Sequence, residues 1–207
     1  MPAWVAARLY APIAMPELLI TRHARPADIP GLTVLINRAY RGAASRRGWT
    51  TETELFDGPR INEVALRILL RAPYTRLWCC HEPARGLVGC VCLTRPPGEV
   101  MEVSLLAVAP EEQALGVGRY LLLHADLQAR HLRCTRLRLT VLAERPDLLA
   151  WYQRRGYRAV GAAEPFPKSY TSAGQPRQAL HLLTLEKRVS QVACQALEVL
   201  SESHASS

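Results

Sequence analysis

The chain has only two lysines, Lys168 and Lys187, although Lys and Arg together number 26 of its 207 residues. Its positive charge therefore rests on arginine, and against 18 acids the formal net charge is 26 − 18 = +8. Such an excess favours an anionic partner: nucleic acid, a membrane surface or a phosphorylated small molecule. The arginines form no stripe with interleaved aromatics, which weakens the nucleic-acid reading. Also missing is any run of 18 or more apolar residues, so no membrane-spanning helix is expected. Zinc-site spacing is absent too. Cys79/Cys80 are adjacent, Cys90/Cys92 lie one residue apart, and with Cys134 and Cys194 they read as reduced core residues, with no metal. Met1 to Met15 carries Arg8 and prolines at 2 and 12 in place of the continuous apolar segment of a secretory signal, so a cytoplasmic protein is expected. No internal repeat is present.

What the chain does have is an ordinary globular balance, 49% hydrophobic and 21% charged, which excludes collagen-like, mucin-like and disordered readings. The length suits a single domain, placed at 18–188 between an Ala/Pro-rich tail (1–17) and a C-terminal tail (189–207) that ends Ser-rich. Leu18 to Arg22 reads as a strand. Ile29, Leu32, Leu35, Ile36 and Ala39 recur at helical spacing after the Pro26-Ala27-Asp28 start signal, predicting a helix over about 27–41, and a second helix follows over Ile61 to Arg71. Between them, Arg41 to Gly58 is polar and Gly-containing and marks a loop or short helix. Arg76–His81 and Gly86–Thr94 form a hairpin, and Met101–Ala109 reads as a buried central strand with one acid, Glu102. Gly116–His131 is helical, Arg136–Leu142 a strand, Asp147–Arg155 a short helix closed by Gly156, and Tyr157–Ala162 and Ala179–Glu186 the last strands. The order predicts an α/β fold, a mixed sheet with helices on both faces and one parallel crossover near the middle.

The segment Val108-Ala109-Pro110-Glu111-Glu112-Gln113-Ala114-Leu115-Gly116-Val117-Gly118-Arg119 joins the central strand to a helix. Glycines at a helix start let backbone approach a ligand, and the unpaired first-turn N–H groups can hold a phosphate. A dinucleotide fingerprint would need a small residue where Leu121 stands, and a P-loop would need Gly-Lys-Ser/Thr. What remains resembles the Gcn5-related N-acetyltransferase (GNAT) family, whose motif Gln/Arg-x-x-Gly-x-Gly/Ala is matched by Gln113, Gly116 and Gly118. The likeness extends from about Leu18 to Arg188 and takes in the strand ending Val-x-Pro and the aromatic-x-x-x-Gly-aromatic segment at Tyr152 to Tyr157. Arg145 departs from it, standing where many relatives have Asn.

The resemblance implies a mostly antiparallel sheet with a splayed parallel strand pair at the cofactor site. It also implies that Gln113, Ala114, Gly116, Val117, Gly118 and Arg119 bind the pyrophosphate of acetyl-CoA, with main-chain groups of Leu106 and Val108 on the acetyl end and pantetheine arm. Acyl transfer needs an uncharged amine, and deprotonating an alkyl ammonium of pKa near 10.4 at pH 7 costs about 4–5 kcal/mol, so a base must help. Glu102 is the candidate base, with burial raising its pKa toward neutrality; the alternative is an exposed ion pair at a strand end. The resemblance places Tyr152 as the candidate proton donor to the leaving thiolate; the alternative is a packing aromatic. His124 reads as a core residue. Trp49 and Glu52 are placed at the acceptor amine, Glu52 on its charge and Trp49 over it, against a reading in which Trp49 covers the core and Glu52 pairs with Arg46 or Arg47.

The function expected is acetyl transfer from acetyl-CoA, bound as a cosubstrate, to a small-molecule or peptide amine by direct attack, in a monomer or homodimer with no nucleic-acid or membrane partner. The alternatives are a different acyl-CoA, or an inactive acyl-CoA-binding regulatory module.

Overall fold

The computed structural model describes residues 19–167 and 174–189. Leu18, the two tails beyond it and Val189, and Cys194 lie outside those residues. Along the chain run β1 (Ile20–His23), α1 (Ile29–Tyr40), α2 (Glu63–Arg71), β2 (Thr75–Glu82), β3 (Gly86–Thr94), β4 (Val100–Val108), α3 (Val117–His131), β5 (Arg136–Leu142), α4 (Pro146–Gln153) and β6 (His181–Arg188). Local signals explain the helix starts. Proline stands in the first turn of α1 and of α4, where its missing N–H costs nothing. The Asn62 side chain caps α2 by accepting from the Ala65 N–H at 2.8 Å. The second helix accordingly begins two residues later than the apolar periodicity of Ile61 suggests.

The strands form one sheet in the order β1-β2-β3-β4-β5-β6, extended beyond β6 by Arg158–Ala159, with Glu164–Pro165 also pairing β6. Every pairing is antiparallel except β4 with β5. Helices α1 and α2 cover one face over Leu77, Cys79, Cys90, Cys92, Leu105 and Ala107. The other face lies under α3 and α4, with Val91, Leu93, Met101, Val103, Leu121, Leu137 and Leu185 in the core. A small sheet of Phe56–Asp57 with Gln175–Pro176, not foreseen from the sequence, packs Phe56 against Leu142 and Leu180.

Strand β4 changes faces midway. Met101 and Val103 point to the α3 side, yet Leu105 and Ala107, which continue the same alternation, belong to the α1 side. Leu105 sits at φ 44°, and the β3–β4 register slips between Cys90 and Cys92. A one-residue bulge exchanges the two faces of a strand, and it also twists the strand away from its neighbour. On the other edge, β4 pairs with β5 only at Val100/Arg136, Met101/Leu137 and Glu102/Arg138. Beyond those three pairs the parallel strands diverge.

Candidate active site

Two cavities open where β4 and β5 part. The first, about 420 Å³, is lined by Leu106, Ala107 and Val108 of β4, by the turn residues Gln113, Ala114 and Gly116, and by Gly118 and Arg119 at the start of α3. The second, about 400 Å³, lies over the splayed part of β4 and β5. Tyr40, Leu106, Arg145, Leu148 and Tyr152 line both, so one narrow zone connects them.

The turn of the first cavity is a backbone concavity. Ala114 (φ 67°) and Gly116 (φ 90°) both take left-handed conformations, and Gly116 is the N-cap of α3. This brings unpaired N–H groups and the positive end of the helix dipole to the cavity. Around it stand Arg119, Arg145, Arg154 and Arg155, and no acid lines the cavity. Arg155 lies 3.6 Å from the Trp151 ring, and its pKa is lowered to about 10 by burial and by the nearby Arg154 and Arg119 charges. Its Nε is buried without a partner. A cavity lined by mutually repelling cations, with one buried guanidinium N–H left unpaired, gains from a polyanion. Glycine at 118 serves packing as well as access, since a Cβ there would sit 3.3 Å from the Trp151 ring.

The cofactor-side residues then divide. Leu106, Val108, Ala114, Gly116, Gly118 and Arg119, expected at the cofactor, all line the first cavity. Val117 turns its side chain into the core, leaving only its main chain for the turn. Gln113 has an internal duty: it accepts from the Trp49 N–H at 3.1 Å and donates to the Val108 carbonyl at 3.2 Å. It fastens the Gly48–Trp49 loop to the end of β4, and its amide is engaged by protein. The Leu106 carbonyl accepts from the Tyr40 hydroxyl at 3.1 Å, so this acceptor is engaged by protein.

Tyr152 is buried in the connecting zone, edge-on to Trp151 and Tyr157, and burial pushes its pKa above the usual phenol value. Glu102 lines the outer part of the second cavity. Its side chain is 50% exposed, 3.9 Å from Arg138, so the burial expected of it is absent. Strand geometry pairs an exposed ladder end with an exposed side chain here, because Glu102 is the last residue of β4 still paired to β5.

Trp49 and Glu52 line different cavities. Trp49 stacks on Trp151 (centroids 6.0 Å apart) and lines the first cavity. Glu52 lines the second, buried and bound to Arg41 at 3.3 Å and Arg145 at 3.0 Å, with Arg60 at 3.8 Å. Neither Arg46 nor Arg47 is its partner; Arg46 pairs with Glu54. Sequence reasoning missed Arg41, Arg60 and Tyr40 as site residues, and Arg145 as the link across it. Their signal was slight: Tyr40-Arg41 simply ends an amphipathic helix.

A family model described as the acetyltransferase (GNAT) family matches residues 35–157. The chain belongs to this family. It is accordingly an acyltransferase, and the fold agrees with solved GNAT structures. The ribosomal-protein-S18-alanine N-acetyltransferase from Escherichia coli shares 13% identity at a TM-score of 0.62, over 86% of this chain and 98% of that one. The spermidine N-acetyltransferase from Vibrio cholerae, solved with CoA and spermine, shares 19% at 0.61, over 84% and 96%. A ribosomal-protein-alanine N-acetyltransferase from Brucella melitensis shares 21% at 0.59, over 82% and 99%. No curated protein sequence matches the chain. Among the described residues no helix is long and apolar enough to cross a membrane.

Proposed function

We propose that this GNAT enzyme transfers the acetyl group of acetyl-CoA to a primary amine by direct attack. The observation that carries the reading is the pair of cavities meeting at Tyr40, Leu106, Arg145, Leu148 and Tyr152, one of them ringed by four arginines and a left-handed N–H turn with no acid. That first cavity fits a nucleotide pyrophosphate with a thioester arm, and the V. cholerae relative solved with CoA supports the choice. Bound there, acetyl-CoA supplies an activated acyl carbonyl. The Ala114–Arg119 turn and Arg119, Arg154 and Arg155 hold its phosphates, while N–H groups of Leu106 and Val108 orient the acetyl arm.

The acceptor nitrogen approaches from the second cavity. Glu102 receives its proton through water, since four strand residues, about 13 Å at 3.3 Å each, separate Glu102 from Leu106. The C–N bond forms as the C–S bond breaks, and the Tyr152 hydroxyl hydrogen-bonds the departing sulfur. Held above the ordinary phenol pKa, Tyr152 stays a donor throughout the neutral range. The buried free thiols Cys79, Cys80, Cys90, Cys92 and Cys134 suit a reducing, cytoplasmic setting.

Calorimetric titration with acetyl-CoA, followed by thiol-release assays over a panel of amines, tests the function. Binding in the micromolar range and amine-dependent thiol release are expected. CoA binding without turnover on any amine would favour the regulatory-module reading, and absence of CoA binding would overturn the cofactor assignment.

A further inference from the structure

The second cavity is electrically lopsided. At its inner end Arg41, Arg60 and Arg145 converge on one carboxylate, that of Glu52. Three cations against one anion leave an excess of two positive charges at a place where Arg41, Arg145 and Glu52 are all more than nine-tenths buried. The arginines are unequally engaged. Arg145 bonds Glu52 and the Thr50 hydroxyl. Arg41 bonds Glu52 and the carbonyls of Gly58 and Pro59, yet its Nε is buried without a partner. The Arg60 guanidinium makes no hydrogen bond among the described residues: its nearest carboxylate oxygen is 3.8 Å away, and it lies 5.2 Å from the Tyr40 ring centre.

The outer end is balanced by comparison. Arg138 gives two hydrogen bonds to Glu186, at 2.8 and 2.6 Å, and Arg136 gives another to Glu186, with Glu102 alongside Arg138. The rest of the lining is mostly apolar, with Phe56, Phe166, Leu142 and Leu182 beside Ser104 and Thr140. A buried surplus of positive charge costs free energy unless an anion completes it, and guanidinium groups with free donors match an oxyanion in particular. Tyr40 and Arg145 line both cavities, so this cationic end adjoins the zone where the acceptor nitrogen must sit.

Resting on the acetyl-transfer reading above, we propose that the acceptor amine carries an oxyanion within a few bonds of its nitrogen, held by Arg60 and Arg145, and that apolar amino acids are the class that fits. The amine of such a molecule sits in the shared zone at Tyr152, connected to Glu102 through water, its acid group faces Arg60 and Arg145 beside that zone, and its side chain extends along the apolar lining. The carboxylate is the ordinary source of this oxyanion; an aminophosphonate or aminophosphinate presents the same chemistry.

The test compares matched acceptors in the thiol-release assay: L-leucine with isoamylamine, L-phenylalanine with phenethylamine, and each amino acid with its aminophosphonate. The acids should be preferred in kcat/KM by about 10–100-fold, the range of one or two hydrogen bonds to a charged group. Arg60→Gln should lower that preference ratio by a similar factor without changing the KM of acetyl-CoA, and Arg60→Lys should restore part of it. A stronger phosphonate than carboxylate would name the phosphorus acid as the source. Equal or better use of the bare amines, or an Arg60→Gln variant with the parental ratio, would overturn the proposal. A second readout separates it from the catalytic reading: calorimetry of N-acetyl-L-leucine against N-acetylisoamylamine on the CoA-saturated and the CoA-free protein. Selective binding of the acid by a protein that neither binds CoA nor turns over would sink the acetyl-transfer reading and keep the anion site. No selective binding of the acid in either form would sink the anion site.

Discussion

Replacing Glu52 by Gln would leave Arg41 and Arg145 buried with no carboxylate between them. Breaking a buried ion pair from one side costs about 3–5 kcal/mol, because the remaining charge is uncompensated. For a domain of this size that corresponds to a melting temperature lower by on the order of 10 °C, measurable by calorimetry. A contact made only to substrate would change KM and leave the melt untouched. Glu102 and Tyr152 call for kinetic readouts instead. Glu102→Gln should lower kcat by about 10²–10⁴-fold and flatten the rising limb of the pH profile, with acetyl-CoA affinity retained. The side chain is half exposed, so folding should tolerate the change; parental rate and pH dependence would make it only the partner of Arg138. Tyr152→Phe keeps the ring contacts to Trp151 and Tyr157 and deletes only the donor. A normal rate in that variant would remove the hydroxyl from the mechanism.

Element by element, the position of Arg60 depends on helix α1. The Asn37 side chain accepts from the Arg60 N–H at 2.7 Å and the Ile61 N–H at 3.1 Å and donates to the Ile61 carbonyl at 2.9 Å, tying the segment before α2 to α1. Asn37→Leu strands three backbone groups and should cost about 2–3 kcal/mol in urea unfolding. It should also raise the acceptor KM more than that of acetyl-CoA; equal effects would uncouple α1 from the acceptor cavity. Contacts of this kind mark where sequence reading stops. Periodicity locates β5 at Arg136–Leu142 to the residue and α3 to within one, because each buries a regular face. The bulge at Leu105 leaves no such trace, since the apolar alternation of Met101, Val103, Leu105 and Ala107 continues unbroken through it. Likewise the Glu52–Arg145 pair joins positions 93 apart, and although each residue stood out by itself, nothing in the sequence joins them. The glycine turn was legible because its geometry is local; the second cavity was not, because it is assembled from α1, loops, α4, β6 and both splayed strands.

At the scale of the whole molecule, the covered sheet holds a titratable group that sets its tolerance of acid. His124 of α3 is buried edge-on against Trp78 of β2, 4.3 Å between ring centres, with Thr21 of β1 at 3.3 Å from Nδ1. Burial, followed by the charge of the nearby His23, lowers its pKa from 6.5 to about 4. A base whose folded pKa lies below its unfolded value takes up protons in the unfolded chain first. The native state is therefore unpenalised above about pH 6.5 and loses stability as pH falls from there toward 4. Two histidines of the same region act with the same sign: burial also lowers the pKa of His23, next to Arg76, and of His81, next to Arg22. Asp28 works outside this window. Its bond to Arg22 lowers its pKa to about 2, so the stability it confers persists through pH 5 and disappears only in stronger acid. For His124 alone the shift predicts a loss of about 1 kcal/mol between pH 7 and pH 5.5. Urea unfolding of the parent and of His124→Leu at both pH values isolates that share. The variant should lose about 1 kcal/mol less than the parent over the interval, whatever its stability at pH 7, because His81 and the burial of His23 are common to both proteins. Parallel losses in the two proteins would show that His124 does not resist protonation, and that the seam between α3, β1 and β2 admits water.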